Sequence, residues 1–163
     1  METYRLLLRP FQDNDFNDLL ALYQNPEVTR YLGGIRSRQQ IQDKLAGIMA
    51  HWQQHGFGIW ALFSKPDGSF IGRCGCWYKH DPSEPELAYA LTPPCWGKGL
   101  ASEAAKAAID MAFGRFKLPS IIAFAHAENH ASHRVMTKLG MQQVDKVQLH
   151  GCDVVKYRLV NTP

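Results

Sequence analysis

The sequence has 163 residues, 45% of them hydrophobic and 20% charged, and a formal net charge of +3. That length suits one domain over residues 1–163, able to bury roughly 68–70% of its unfolded surface around a single core. The composition excludes a disordered chain, no run reaches the ~18 apolar residues of a membrane-spanning helix, and a mildly basic balance without a basic stripe suits a polyanionic small ligand, not nucleic acid or a membrane.

Residues 3–9 alternate, with Leu6 and Leu8 on one face and Arg5 and Arg9 on the other, which predicts a strand that Pro10 ends. A short helix is expected over 15–24, with Phe16, Leu19, Leu20 and Tyr23 on one side and Asn25-Pro26 as its break. Ser37 followed by Gln40 is a capping-box pattern. Ile41, Leu45, Ile48, Met49 and Trp52 then fall at helical spacing up to a C-cap at Gly56. Strands over 58–63 and 70–78 flank the turn Lys65-Pro66-Asp67-Gly68, and another follows at 87–91. An alanine-rich helix over 99–114, a buried strand at 120–125 and a helix over 131–139 stopping at Gly140 come next. Segments 141–146 and 154–160 form a hairpin around His150-Gly151. The order β-α-α-β-β-β-α-β-α-β-β predicts an α+β (mixed α/β) fold. Cys74 and Cys76 share a strand face and so do not bridge each other, while Cys95 and Cys152 stand alone. Free thiols, and an opening without a basic-then-apolar leader, lead us to expect the cytoplasm.

The most informative stretch runs Leu91-Thr92-Pro93-Pro94-Cys95-Trp96-Gly97-Lys98-Gly99-Leu100-Ala101-Ser102. A strand ends, prolines stiffen the turn and glycines open a helix. Glycine lets the backbone approach a ligand, and the first helical N–H groups lack internal partners at the positive end of the dipole. Such a terminus suits phosphate, although two glycines also open ordinary helices. The stretch is neither a P-loop nor the three-glycine dinucleotide fingerprint. The alanines of the helix behind it allow close approach to a sheet, or simply favour helix.

With those residues in view, the chain resembles the GNAT superfamily of N-acetyltransferases. The pyrophosphate motif of that family, Arg/Gln-x-x-Gly-x-Gly/Ala, is matched by Trp96-Gly97-Lys98-Gly99-Leu100-Ala101. Trp in the first position, followed by Ser102-Glu103-Ala104, is similar to the branch of ribosomal-protein N-terminal acetyltransferases (RimJ/RimL-like). Further blocks resemble that branch in order: 3–9, 26–32, Glu86-Leu87-Ala88-Tyr89-Ala90-Leu91, Asn129-His130-Ala131-Ser132 and Lys138-Leu139-Gly140-Met141. The resemblance implies a twisted mixed sheet of six to seven strands flanked by about four helices. It also implies acetyl-CoA as cosubstrate without a metal, an amine acceptor (a peptide N-terminus or a small molecule), a ternary complex in which the amine attacks the thioester directly, and a possible homodimer.

Three tasks follow from that chemistry. The resemblance assigns the pyrophosphate to Trp96, Gly97, Lys98, Gly99, Leu100, Ala101 and Ser102, and the pantetheine arm to Leu91, Thr92 and Asn129. Arg134 and Lys138 are candidates for the ribose phosphate, with solvated surface charge as the alternative. Glu86 is the candidate general base and Glu84 a weaker alternate; a solvent-facing strand carboxylate is the competing role for Glu86. Ser132 is the candidate proton donor to the leaving thiolate. Asn129 as helix N-cap, with Ser132 in the first turn, is a compatible structural role. A tyrosine often serves as this acid elsewhere in the superfamily, and none lies near Ser132 in the sequence. Tyr31 is a candidate wall of the acceptor pocket. His51 and His55 share a helix face and are expected at the surface, without a third metal ligand. His126, His130 and His133 gather at one helix start and are expected to line a cleft, with His133 placed to tune proton transfer at Ser132. Trp52, Phe57, Trp60, Trp77 and Tyr78 are assigned to the core. A non-catalytic acyl-CoA-binding module is the competing function.

Overall fold

The computed structural model describes residues 1–79 and 81–162. Strand β1 (Leu6–Pro10) leads to helix α1 (Phe16–Gln24), the single-turn helix α2 (Pro26–Thr29) and the long helix α3 (Arg38–His55). Strands β2 (Ile59–Ser64), β3 (Phe70–Trp77) and β4 (Glu86–Leu91) follow, then α4 (Leu100–Gly114), β5 (Ser120–His126), α5 (His130–Lys138), β6 (Gln142–Leu149) and β7 (Cys152–Val160). The seven strands make one sheet in the order β1-β2-β3-β4-β5-β7-β6.

The expected elements are present, with instructive differences. Asn25 ends α1 but does not simply break the chain. Its side chain accepts the backbone N–H groups of Glu27 and Val28, at 2.9 and 3.3 Å, and starts α2 with Pro26 in the first turn. The described α-helices therefore number five, against about four expected. The capping box is real: the Gln40 N–H donates to Ser37 Oγ at 3.2 Å and the Ser37 N–H to Gln40 Oε1 at 2.8 Å. The terminal hairpin is longer than expected, because His150 and Gly151 both take positive φ and make a tight two-residue turn.

Strand alternation divides the interior in two. On one face, Leu6, Leu8, Leu62, Cys74 and Leu87 pack against Ala104, Ala105, Ala108 and Ala112 of α4. The alanines do let the helix lie close, each at most 2% exposed. On the other face, Ile59, Ala61 and Ala90 pack against Leu19, Leu22 and Tyr23 of α1 and Ile41, Leu45 and Ile48 of α3. His51, expected at the surface, is buried instead. Its Nδ1 lies 2.8 Å from the Phe57 carbonyl and its Nε2 accepts the Tyr78 N–H at 3.0 Å, which makes it the neutral Nδ1–H tautomer joining α3 to the sheet. No helix of the described residues is long and apolar enough to cross a membrane.

One feature of the sheet positions the site. All neighbours pair antiparallel except β4 and β5, which run parallel and are in register only at Glu86↔Ile122. Beyond that point the two strands diverge. The Thr92 N–H donates to Ile71 on β3, so alternation turns the peptide groups of Tyr89 and Leu91 towards the opening gap.

Candidate active site

The gap widens into a cleft of about 510 Å³ between β4, the start of α4 and α5, with α2 and the residues after it across the mouth. Gly97 and Gly99 both have positive φ, 72° and 76°, a conformation that suits glycine. A Cβ at Gly97 would meet only open space. The first internal bond of α4 runs from the Glu103 N–H to the Gly99 carbonyl, so the N–H groups of Leu100, Ala101 and Ser102 precede the helical ladder. All three residues line the cleft. Such an array fits a pyrophosphate.

The turn is held from behind. The Glu103 carboxylate accepts the Thr3 hydroxyl at 2.5 Å, the Arg5 N–H at 2.8 Å and Arg5 Nε at 2.7 Å, while Arg5 Nη1 donates to the Lys98 carbonyl at 2.8 Å. These bonds hold the Glu103 carboxylate below the ordinary carboxylate range, against the opposing effect of burial. Nothing in the order of residues signals this clamp, whose partners are 98 residues apart.

Of the assigned residues, Tyr31, Leu91, Trp96, Gly97, Gly99, Leu100, Ala101, Ser102, Asn129, Ser132, Arg134 and Lys138 line the cleft. Thr92 and Lys98 do not. Thr92 spends its N–H on β3, and Lys98 is exposed and contributes a carbonyl to Arg5. Trp96 does more than open the motif: its indole Nε1 donates to the Leu91 carbonyl at 2.7 Å, tying the turn to the end of β4. Arg134 and Lys138, four apart on α5, put two cations on one wall. Asn129 caps α5 through the Ser132 N–H at 3.2 Å.

The structure supplies a tyrosine beside Ser132. Tyr89, on β4, places its hydroxyl 2.7 Å from Ser132 Oγ. The partners are 43 residues apart, so proximity along the chain missed the pair. The available signal was alternation: Tyr89 falls between Leu87 and Leu91, a polar hydroxyl on an apolar face. Burial pushes its pKa well up, so it stays protonated. His133, by contrast, turns away. Its Nδ1 lies 2.8 Å from the Tyr157 hydroxyl and its Nε2 is 3.1 Å from the His126 carbonyl, so it joins α5 to β5 and β7 and does not face Ser132. The His126 ring stands 5.1 Å from that of Tyr31.

Glu86 lies on the opposite face of the sheet, 6% exposed and so not solvent-facing. Burial raises its pKa, opposed by Lys79, Arg73 and Lys44. Lys79 Nζ is 3.9 Å from its Oε1. Glu84 is engaged elsewhere: Lys156 binds it at 2.7 Å and Arg158 binds its other oxygen, and Lys156 in particular holds its pKa down.

Comparison with known proteins agrees with this architecture. Residues 5–142 match the family model described as an acetyltransferase (GNAT) domain. The chain is 30% identical over 148 residues to the uncharacterized N-acetyltransferase YoaA of Bacillus subtilis (strain 168), covering 88% of this chain and 82% of that protein. A crystal structure of the acetyltransferase from Agrobacterium tumefaciens str. C58 superposes with a TM-score of 0.88 at 26% identity, covering 98% and 92% of the two chains. The fold also matches RimL, a ribosomal L7/L12 alpha-N-protein acetyltransferase in complex with coenzyme A, with a TM-score of 0.81 at 16% identity over 97% and 95% of the chains. A glycine-opened helix beside a splayed parallel strand pair, on a seven-stranded sheet, is thus joined to a family match over most of the sequence, and the chain belongs to the GNAT family of acetyltransferases.

Proposed function

We propose that this enzyme transfers the acetyl group of acetyl-CoA to a primary amine by direct attack in a ternary complex. The observation that carries the proposal is the cleft itself. It joins the N-terminus of α4, suited to pyrophosphate, to the β4–β5 gap, where the Leu91 N–H faces an extended arm. It ends at the Tyr89–Ser132 hydroxyl pair. RimL, of the same fold, is described with coenzyme A bound.

In this scheme Leu100, Ala101 and Ser102 hold the pyrophosphate, and Arg134 and Lys138 neutralise phosphate charge. Glu86 takes the proton from the attacking ammonium. Its raised pKa brings it nearer to neutrality, where a base works best. The amine nitrogen bonds to the acetyl carbon as the carbon–sulfur bond breaks. The thiolate takes a proton from the Ser132 hydroxyl, which regains one from the nitrogen of the newly formed amide, with Tyr89 as the hydrogen-bond partner behind it.

The test is amine-dependent release of CoA thiol from acetyl-CoA, with Gly97→Asp as control. The Asp carboxylate would stand in open space where phosphate is expected, and calorimetry should show acetyl-CoA affinity falling at least ~100-fold, about 2.8 kcal/mol. Unchanged affinity in a folded variant would remove the phosphate assignment. Tight acetyl-CoA binding without thiol release across a broad amine panel would instead favour the acyl-CoA-binding module.

A further inference from the structure

The face of the sheet carrying Glu86 holds a group of side chains that acetyl-CoA binding does not use. Arg73, on β3, is 7% exposed. Its Nε donates to the Tyr23 hydroxyl at 2.6 Å, and its guanidinium lies 5.5 Å from the centre of the Tyr23 ring. Its Nη1 is buried and makes no hydrogen bond among the described residues. Lys44, on α3, extends its ammonium over the same ring at 5.1 Å and over the Trp77 ring at 5.6 Å. Lys79 stands beside Glu86. Burial and the neighbouring Arg73, Lys79 and Arg36 lower the Lys44 pKa to about 7, with Glu86 as the opposing charge.

Positive charge gathered in a half-dry place is unfavourable unless an anion completes it. The group adjoins the cleft: Arg73 is in register with Ala90, and Ala90 lines the cleft with Val28 and Leu32. It also adjoins the base. We propose that the acceptor is an amine that carries a carboxylate, and that Arg73 and Lys44 bind this carboxylate while Glu86 receives the amine.

The proposal rests on Glu86 serving the acceptor side and names the substrate class of that site. Two physical consequences fit together. A guanidinium with a free N–H binds carboxylate by a charge-assisted hydrogen bond. The same positive surroundings disfavour an ammonium, so the acceptor amine is more easily brought to its neutral, nucleophilic form. A polyamine gains neither benefit, since its remaining charges are repelled.

The experiment compares kcat/KM, per neutral amine, for ω-amino carboxylates of two to six carbons, for the amide of each, and for spermidine. The best carboxylate should exceed its own amide by at least ~10-fold, the equivalent of one charged hydrogen bond. Spermidine should be the poorest. Lys44→Met and Arg73→Met should each erode the carboxylate preference, while the calorimetric affinity for acetyl-CoA is unchanged. Arg73→Lys should retain part of it. If Arg73→Met fails to fold, Lys44→Met, at a half-buried helix position, carries the test alone. Amides or spermidine as the better acceptors, or a preference that survives Lys44→Met and Arg73→Lys undiminished, overturns the proposal and leaves the acetyl-transfer reading standing. Failure of every amine to release thiol overturns both.

Discussion

The two faces of the sheet carry two different kinds of polar group. On the α4 face the cleft presents backbone: N–H groups at the start of a helix, glycines at positive φ, and strand peptide groups beside a gap. On the α1 and α3 face the polar chemistry is all side chain, with Arg73, Lys44, Lys79 and Glu86 gathered around Tyr23 and Trp77. Backbone groups hold what does not vary, because a helix terminus binds phosphate whatever its side chains are. Side chains can be exchanged without rebuilding the fold. On the proposed reading, the division puts the constant cosubstrate on one face and a specific acceptor on the other.

The sharpest way to break this division is at Glu86. A general base contributes about 10²–10⁴-fold, so Glu86→Gln should lower kcat/KM by that order near neutral pH. The loss should shrink in alkali, where a side-chain acceptor amine of reference pKa about 10.4 loses its proton to solvent. Acetyl-CoA affinity should stay as it was. A pH–rate profile for both proteins is the measurement, and a constant ratio at every pH would leave Glu86 an orienting carboxylate.

A smaller effect is expected at the hydroxyl pair, which lies on the α4 face between β4 and α5. Ser132→Ala and Tyr89→Phe should each lower kcat about 10-fold with little change in the KM for acetyl-CoA, because both act on sulfur as its charge develops. The double variant should be little worse than either single one, as for two groups in one hydrogen-bonded chain. Additive losses would show that the two hydroxyls act separately.

What could be read from the sequence follows the same physical divide. The glycine-opened turn into α4 was legible because all its parts are contiguous, from Pro93 to Ser102, and the Ser37–Gln40 box for the same reason. What escaped depends on contacts made only by folding. Arg5 and Glu103 are 98 residues apart, Arg73 and Tyr23 are 50 apart, and Tyr89 and Ser132 are 43 apart. The choice between Glu84 and Glu86 turned on the β5–β7 pairing, which sets Lys156 and Arg158 of β7 against Glu84. His51 shows the same limit. Helical spacing placed it beside His55, but only the path of residues 57–78 shows that both its nitrogens are engaged.

The smallest expected effect is on stability, and it tests whether the charged face is a cost borne for function. Lys44 has a pKa of about 7 in the fold, lowered mainly by burial, against about 10.4 for a free lysine. Between those values the unfolded chain holds one proton more than the folded one, so stability rises with pH across the window and is lost again as pH falls towards 7. Lys44→Met has no proton to exchange and keeps an apolar stem against Tyr23 and Trp77. It should melt above the wild type at pH 7, by roughly 2–4 °C for each kcal/mol of relieved burial at this chain size. The difference should narrow steadily as pH rises towards the unfolded pKa of about 10.4, above which the wild-type amine is neutral in both states. Melting curves of the two proteins across that range are the measurement. A variant that melts lower than wild type at pH 7 would mean that Lys44 is held by favourable contacts with the rings and Glu86. The charged face would then be a structural element, without the destabilisation that a site awaiting an anion implies.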